Sequence, residues 1–297
     1  MQIGAAERRK GLSLGVLGGL AVSFDIPLVK LSDGDVWSVQ FLRSVSVLAV
    51  TAIVWLVARA YTGKRLVLIP GWDGLIVTIL YGLSSVFFFA AVFATPTANL
   101  VFILAFNPMF SALLGWVMLG EKPKPATFLA MIVMTIGVFI IVQEGLSGGH
   151  IWGDIAAILA TVTISLSITI SRASGKDMGF TGLISAAVPL VVAAWFVISQ
   201  GGIHANAPGW IIFNGTFVTT TAFFCLSLAP KFVSGPEVAM FYLLETILAP
   251  IWVWIIFNDV PTNQALVGGG ILLTALVAHT VWELNEDRKS QANAPTT

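Results

Sequence analysis

Asp25, Arg43, Glu237 and Glu245 are ionisable residues set among long apolar runs, and they are where this sequence can do chemistry. A charge at the centre of a bilayer costs about 2.5–3.5 kcal/mol on insertion scales, so each one needs a partner or a task. Asp25 and Arg43 fall on neighbouring segments near the same end. Their types predict an ion pair, either a fixed strut between two helices or a gate that breaks and reforms. Glu245 can receive an ammonium group or carry a proton. Glu237 falls near a helix start, where the macrodipole favours an acid. Catalysis finds no constellation: His150, His204 and His279 are far apart, with no His-Glu-x-x-His pairing. The Gly-Lys pairs at 63–64 and 175–176 lack the upstream glycine and following hydroxyl of a nucleotide loop. The single cysteine, Cys225, leaves no internal disulfide and no Cys-rich metal site. No enzyme activity, metal or cofactor is expected.

Around these charges lie aromatic and polar side chains at helical spacing. Asn99, Phe102, Phe106 and Phe110 follow one broad face, and Asn107 precedes Pro108. Tyr81, Ser85 and Phe88 form a second set, and Thr219, Thr220 and Phe223 a third. Phe241 and Tyr242 accompany Glu245 ahead of Pro250, while Thr161, Ser165 and Thr169 make one stripe. Aromatic walls with a few polar groups suit a partly apolar solute with a polar head. Each residue alone is equally compatible with lipid contact or a bond back to its own helix. Pro108 and Pro250 are the expected kinks.

The elements that position these groups follow from composition. Of 297 residues 57% are hydrophobic and 10% charged, with mean hydropathy +0.92, against about 25% charged in soluble domains. Runs such as LIVTILYGLSSVFFFAAVFA (75–94) do not alternate, and lipid allows only helices or closed barrels. The class is an all-α membrane protein. Breaks at Gly, Pro and charge clusters predict ten transmembrane helices: 11–30, 35–58, 72–93, 97–119, 125–143, 151–171, 179–199, 209–229, 233–257 and 264–282. A charged start at 1–10 and a disordered polar tail at 283–297 flank them. Of the 15 lysines and arginines, thirteen fall on the side of the N-terminus, Lys30 alone on the other side, and Arg43 within a span. By the positive-inside rule both termini are cytoplasmic.

PGW occurs at 70–72 and again at 208–210. The same offset pairs Gly11 with Gly149, Trp116 with Trp254, Glu121 with Asp259 and Pro123 with Pro261. The chain therefore reads as two homologous halves, 11–143 and 149–282, of five spans each. Five is odd, so the second half enters the membrane from the opposite side. Inverted repeats are a mark of secondary transporters, whose halves rock about a midplane site. In this register Asn107 pairs with Glu245 and Asn99 with Glu237, which places polar groups at two matching levels.

The stretches AFNPMFSALLGWVMLGEKPKP (105–125) and LLETILAPIWVWIIFNDVP (243–261) resemble the drug/metabolite transporter superfamily, specifically its EamA-like ten-helix branch. Each half has a proline-broken fourth span followed by a Gly-Glu or Asn-Asp step. Within the branch the chain is most similar to YddG-type exporters of aromatic amino acids. The resemblance implies an exporter of aromatic or hydrophobic amino acids in a bacterial inner membrane. The polar levels, prolines and aromatic faces read above put Tyr81, Asn99, Phe102, Phe106, Asn107, Ser165, Thr219, Phe223, Phe241, Tyr242 and Glu245 about a central cavity. The partners expected are a small-molecule substrate, the bilayer and a coupling proton, with the protein a monomer or homodimer. Uptake or exchange of another organic solute is the alternative within transport. A non-transporting sensor or assembly subunit is the alternative of another class.

Overall fold

Backbone groups in lipid have no water to bind, so the apolar runs close their hydrogen bonds within helices. The computed structural model describes residues 5–62, 67–176, 178, 180–228, 232 and 235–292. In chain order the first half gives α1 (Ala5–Ser23), α2 (Asp25–Leu31), α3 (Val36–Thr62), α4 (Gly71–Ala94), α5 (Thr97–Leu104), α6 (Asn107–Leu119) and α7 (Pro125–Gly148). The second gives α8 (Ile151–Ser174), α9 (Thr181–Ile184), α10 (Ala187–Ser199), α11 (Pro208–Phe213), a π-helical segment (Asn214–Thr219), α12 (Thr220–Leu228), α13 (Gly235–Phe257) and α14 (Asn263–Ala292). Among the described residues there is no strand, and one isolated antiparallel bridge joins Gly34 to Ala205. Nine helices or helix pairs among these residues are long and apolar enough to cross a membrane, and α13 adds an apolar stretch at Leu244–Phe257.

Proline decides where the spans break. The interruptions at Phe24, at Ala105–Phe106 and at Ser185–Ala186 each lie two to four residues before Pro27, Pro108 or Pro189. A proline lacks the N–H that would bond the fourth carbonyl back, and its ring crowds that carbonyl. The expected break at Pro250 does not occur: α13 runs through it from Gly235 to Phe257. Proline is tolerated within membrane helices where neighbouring helices, hydroxyl side chains or local adjustment re-satisfy the freed backbone groups. The tail also departs from expectation, since α14 continues to Ala292. Its ELNEDRKSQA sequence is rich in helix formers and propagates the turn already begun.

Two glycine notches close the bundle. Phe102 of α5 seats its ring against Gly269 of α14, and Phe241 of α13 seats its ring against Gly15 of α1. Gly137 and Gly268 let α7 and α14 cross so closely that a Cβ on either would stand 2.7 Å from the other's carbonyl oxygen. The buried core they enclose centres on Phe89, Leu100, Ile103, Met109, Met134 and Leu272.

The two ends of the fourth and ninth spans explain the Gly-Glu and Asn-Asp steps. Gly120 caps α6 with φ 73°, and Asn258, its repeat counterpart after α13, has φ 55°. Glycine and asparagine are the residues that tolerate this left-handed cap. The chain differs at the two positions but the backbone does not.

Candidate functional site

Polar side chains gather in two clusters, each beside a break in a span. The first surrounds the break between α1 and α2. Asp25 opens α2 and is buried, and the Arg43 guanidinium on α3 donates to it at 3.1 and 3.2 Å. Arg43 also donates from Nε to Asn214 Oδ1 at 3.1 Å and from Nη2 to Thr219 Oγ1 at 3.3 Å. Asn214 is fully buried; its amide donates to the Asp25 carboxylate at 2.8 Å and to the Asp25 carbonyl at 3.2 Å. Thr219 closes the ring by donating to Asn214 Oδ1 at 3.1 Å. Phe89 lies under the guanidinium, 5.1 Å from ring centroid to Cζ. Spans one, two, three and eight thus meet at one ion pair whose lone pairs and protons are largely satisfied.

The π-helical turn makes this possible. Its wider ladder brings Asn214 and Thr219, five residues apart, onto one side, and the Thr220 hydroxyl bonds the Gly215 carbonyl at 3.1 Å. Such turns recur at functional sites because they re-aim side chains. Asn214 is absent from the sequence expectations. Its signal was a lone amide inside an apolar span, four residues after the second PGW.

The second cluster surrounds the break between α5 and α6. Ser165 of α8 reaches Asn107 Oδ1 at 2.6 Å and the Asn107 carbonyl at 3.2 Å. Thr161, one turn earlier, points at the Ile103 carbonyl at 3.5 Å while bonding Ala157 of its own helix at 2.7 Å. The Thr161, Ser165 and Thr169 stripe is fully buried, and each member also bonds back four residues along α8.

Glu245 belongs to neither cluster. It is half-buried on α13 and has no hydrogen-bond or ion-pair partner among the described residues. Asp25 and Arg43 are bonded to each other, and Glu245 is the one of the three without a bonded partner among the described residues. The break before α2 is held to the same helix: Trp252 donates from Nε1 to Ser23 Oγ at 3.2 Å, and its ring stacks on Phe24 at 5.1 Å.

The remaining expected residues fall in several places. Phe106 is buried edge-on to Phe110, 4.9 Å between ring centroids. Phe102 and Phe241 are the ring partners of the glycine notches already described. Asn99 is fully buried on α5, and Tyr81 lies within reach of Ser167. Pro108 is exposed at the start of α6, and Pro250 is buried. Phe223 is 44% exposed, touches the space beside Gly182 and joins neither cluster. The side chains of Glu237 and Tyr242 lie outside the described residues. Two further buried polar groups escaped the sequence reading. Gln40 donates to Ser85 at 3.1 Å and leaves its carbonyl oxygen unpaired among the described residues. Asp154, fully buried in the first turn of α8, accepts from Thr95 at 2.5 Å.

Among the described residues no group of acidic, histidine or cysteine side chains could hold a metal ion. Fold and site together define a polytopic helical membrane protein with a polar interior shared between its halves. The profile of the EamA-like transporter family matches twice, over residues 9–143 and 149–280, and the chain belongs to that family. It is 26% identical over 190 residues to human solute carrier family 35 member G1, covering 57% of this chain and 51% of that protein. The chain therefore spans about half the length of the human relative. It is 21% identical over 278 residues to the pseudopaline exporter of Pseudomonas aeruginosa, covering 91% of this chain and 95% of the exporter. An uncharacterized transporter of Clostridium kluyveri is 26% identical over 219 residues, covering 68% and 70% of the two chains. A crystal structure at 16% identity shares the fold with TM-score 0.63, covering 93% of this chain and 98% of that one.

Proposed function

We propose that the protein is a secondary carrier that exports small organic metabolites, with aromatic or hydrophobic amino acids as the substrate class, by alternating access. The observation that carries this reading is Glu245, a part-buried carboxyl with no bonded partner among the described residues, on the span whose repeat counterpart carries Asn107 at the second polar cluster. A carboxyl so placed serves a substrate ammonium group or a coupling proton, and Phe106 and Phe110 supply apolar surface near the Asn107 break. The ten spans, the inversion of the second half, cytoplasmic termini and an inner-membrane location belong to the same reading and rest on the lysine and arginine bias. Export as the direction follows the resemblance and the name of the Pseudomonas relative.

The test is uptake of labelled phenylalanine into liposomes containing the purified protein, with and without an imposed pH gradient. Saturable uptake that the gradient drives supports carrier and coupling together. Saturable uptake indifferent to the gradient removes the proton. Passive leak alone, with phenylalanine and a panel of other metabolites, removes the transport reading.

A further inference from the structure

A long groove opens between α7 and α14, the last spans of the two halves, with a volume of about 770 Å³. Leu129 and Val133 wall it on α7, and Leu266, Val267 and Ile271 on α14. It faces away from the bundle: Leu129, Leu266 and Val267 are more than half exposed, and a Cβ added at Gly270 would meet nothing within 4 Å. From Leu266 to Trp282 the groove follows α14 for about 24 Å at 1.5 Å per residue. One leaflet's chains cover less, roughly 15 Å of a hydrocarbon core about 30 Å thick.

The polar groups in its wall are met from within. The Thr274 hydroxyl donates to the Gly270 carbonyl at 2.7 Å, and His279 Nε2 meets Thr127 Oγ1 at 2.9 Å, both residues buried. The wall therefore presents carbon, which suits a hydrocarbon chain better than a polar solute.

The lysine-rich end is built differently. Trp282 closes the groove there, its ring 5.9 Å from that of His279, and the Lys124 ammonium stands 5.2 Å above it. An ammonium resting on a ring keeps its three N–H donors for an anion. Lys122, two residues earlier, is exposed as well. α7 starts at Pro125, so the positive end of its dipole lies at the same level. Glu121, the acid of this loop, is already held by Arg172 at 3.0 Å. Glu286 lies a turn past Trp282, outside the lining.

An apolar trough with cations at one end matches an amphiphile with an anionic head. We propose that the groove holds an acyl chain of an anionic phospholipid from the leaflet on the lysine-rich side, with the phosphate against Lys124 and Lys122. Basic clefts between membrane helices bind such head groups, and each lysine near them adds to the attraction. The site stands whatever solute the protein carries.

Native mass spectrometry of the purified protein in detergent tests this, with dioleoyl phosphatidylglycerol and dioleoyl phosphatidylcholine as probes. The wild type is expected to retain phosphatidylglycerol in preference, and high salt to erase the preference. Lys122→Gln with Lys124→Gln is expected to weaken phosphatidylglycerol about fivefold for each lysine and to leave phosphatidylcholine as it was. Gly270→Leu, which grows into the open groove, is expected to lower both lipids. Arg59→Gln removes another cation over a ring, that of Trp55 at 5.2 Å on α3, and is expected to change neither. Thermal unfolding without lipid shows that each variant is folded. Equal retention of the two lipids by the wild type, or undiminished phosphatidylglycerol in the double lysine variant, would overturn the anionic head. Undiminished retention in Gly270→Leu would overturn the groove. A dimer that excludes both lipids would give the groove to a second copy of the chain.

Discussion

Removing the Arg43 charge should damage the protein more than removing the charge of its partner. In Arg43→Gln the Asp25 carboxylate stays buried, at 6% exposure, and loses both guanidinium bonds, the one ion pair it makes among the described residues. Breaking a buried pair from one side costs about 3–5 kcal/mol, because the remaining charge is uncompensated. Asn214 and Thr219 also lose the donor they share. Asp25→Asn leaves Arg43 near a second acid, Glu245, and keeps a side chain that Asn214 can bond. Its expected cost is about 1–3 kcal/mol, the range for one lost charged hydrogen bond. The double variant Asp25→Asn with Arg43→Gln should recover most of the larger loss. The assay is a double-mutant cycle on denaturant unfolding in detergent, followed by tryptophan fluorescence. A coupling energy below about 1 kcal/mol, the worth of an exposed pair, would refute the view that this ion pair is the buried join of four spans.

Four other outcomes are expected. Glu245→Gln removes a carboxyl with no bonded partner among the described residues, so unfolding should shift by no more than about 0.5 kcal/mol while phenylalanine flux falls; lost stability would show the group to be structural. Gly19→Ala, one turn after the Gly15 notch, places a Cβ against the Phe241 carbonyl and should cost about 1–3 kcal/mol by overpacking, whereas Gly270→Ala, with nothing within 4 Å of its Cβ, should be neutral or gain about 0.5–1 kcal/mol; thermal unfolding of the two variants checks the close approach of α1 to α13. Asn258→Gly should keep the left-handed cap, and Asn258→Val should lose about 1–2 kcal/mol, read in the same assay. Ser165→Ala strips Asn107 of its 2.6 Å donor and should cost about 1 kcal/mol; no change in unfolding would show that another donor takes its place.

The helical class, the places of the long apolar stretches and the duplication were legible because lipid converts composition directly into helices and PGW marks the repeat. Positions within helices were harder to read. Phe102 and Phe241 have the spacing of cavity walls, yet they fill glycine notches, because only the three-dimensional crossing shows which helix supplies the notch. Pro108 and Pro250 looked alike in sequence. One follows a break at Ala105–Phe106 and the other lies in an unbroken helix, a difference that residue type and spacing do not encode. Asn214 was missed for a related reason. Helical wheels drawn at 3.6 residues per turn do not put it beside Thr219, and the π-helical turn does. The Asp25–Arg43 pairing was visible from charge and level alone, since two opposite charges in one apolar slab have few other partners.

The most direct measurement is counterflow of labelled phenylalanine in liposomes preloaded with unlabelled phenylalanine, comparing the wild-type protein with Glu245→Gln. The account predicts transient accumulation by the wild type, inhibited by tryptophan, and a marked loss in the variant while the protein remains folded. Equal accumulation by both would take Glu245 out of the site, and accumulation by neither, extended across other metabolites, would contradict the carrier itself.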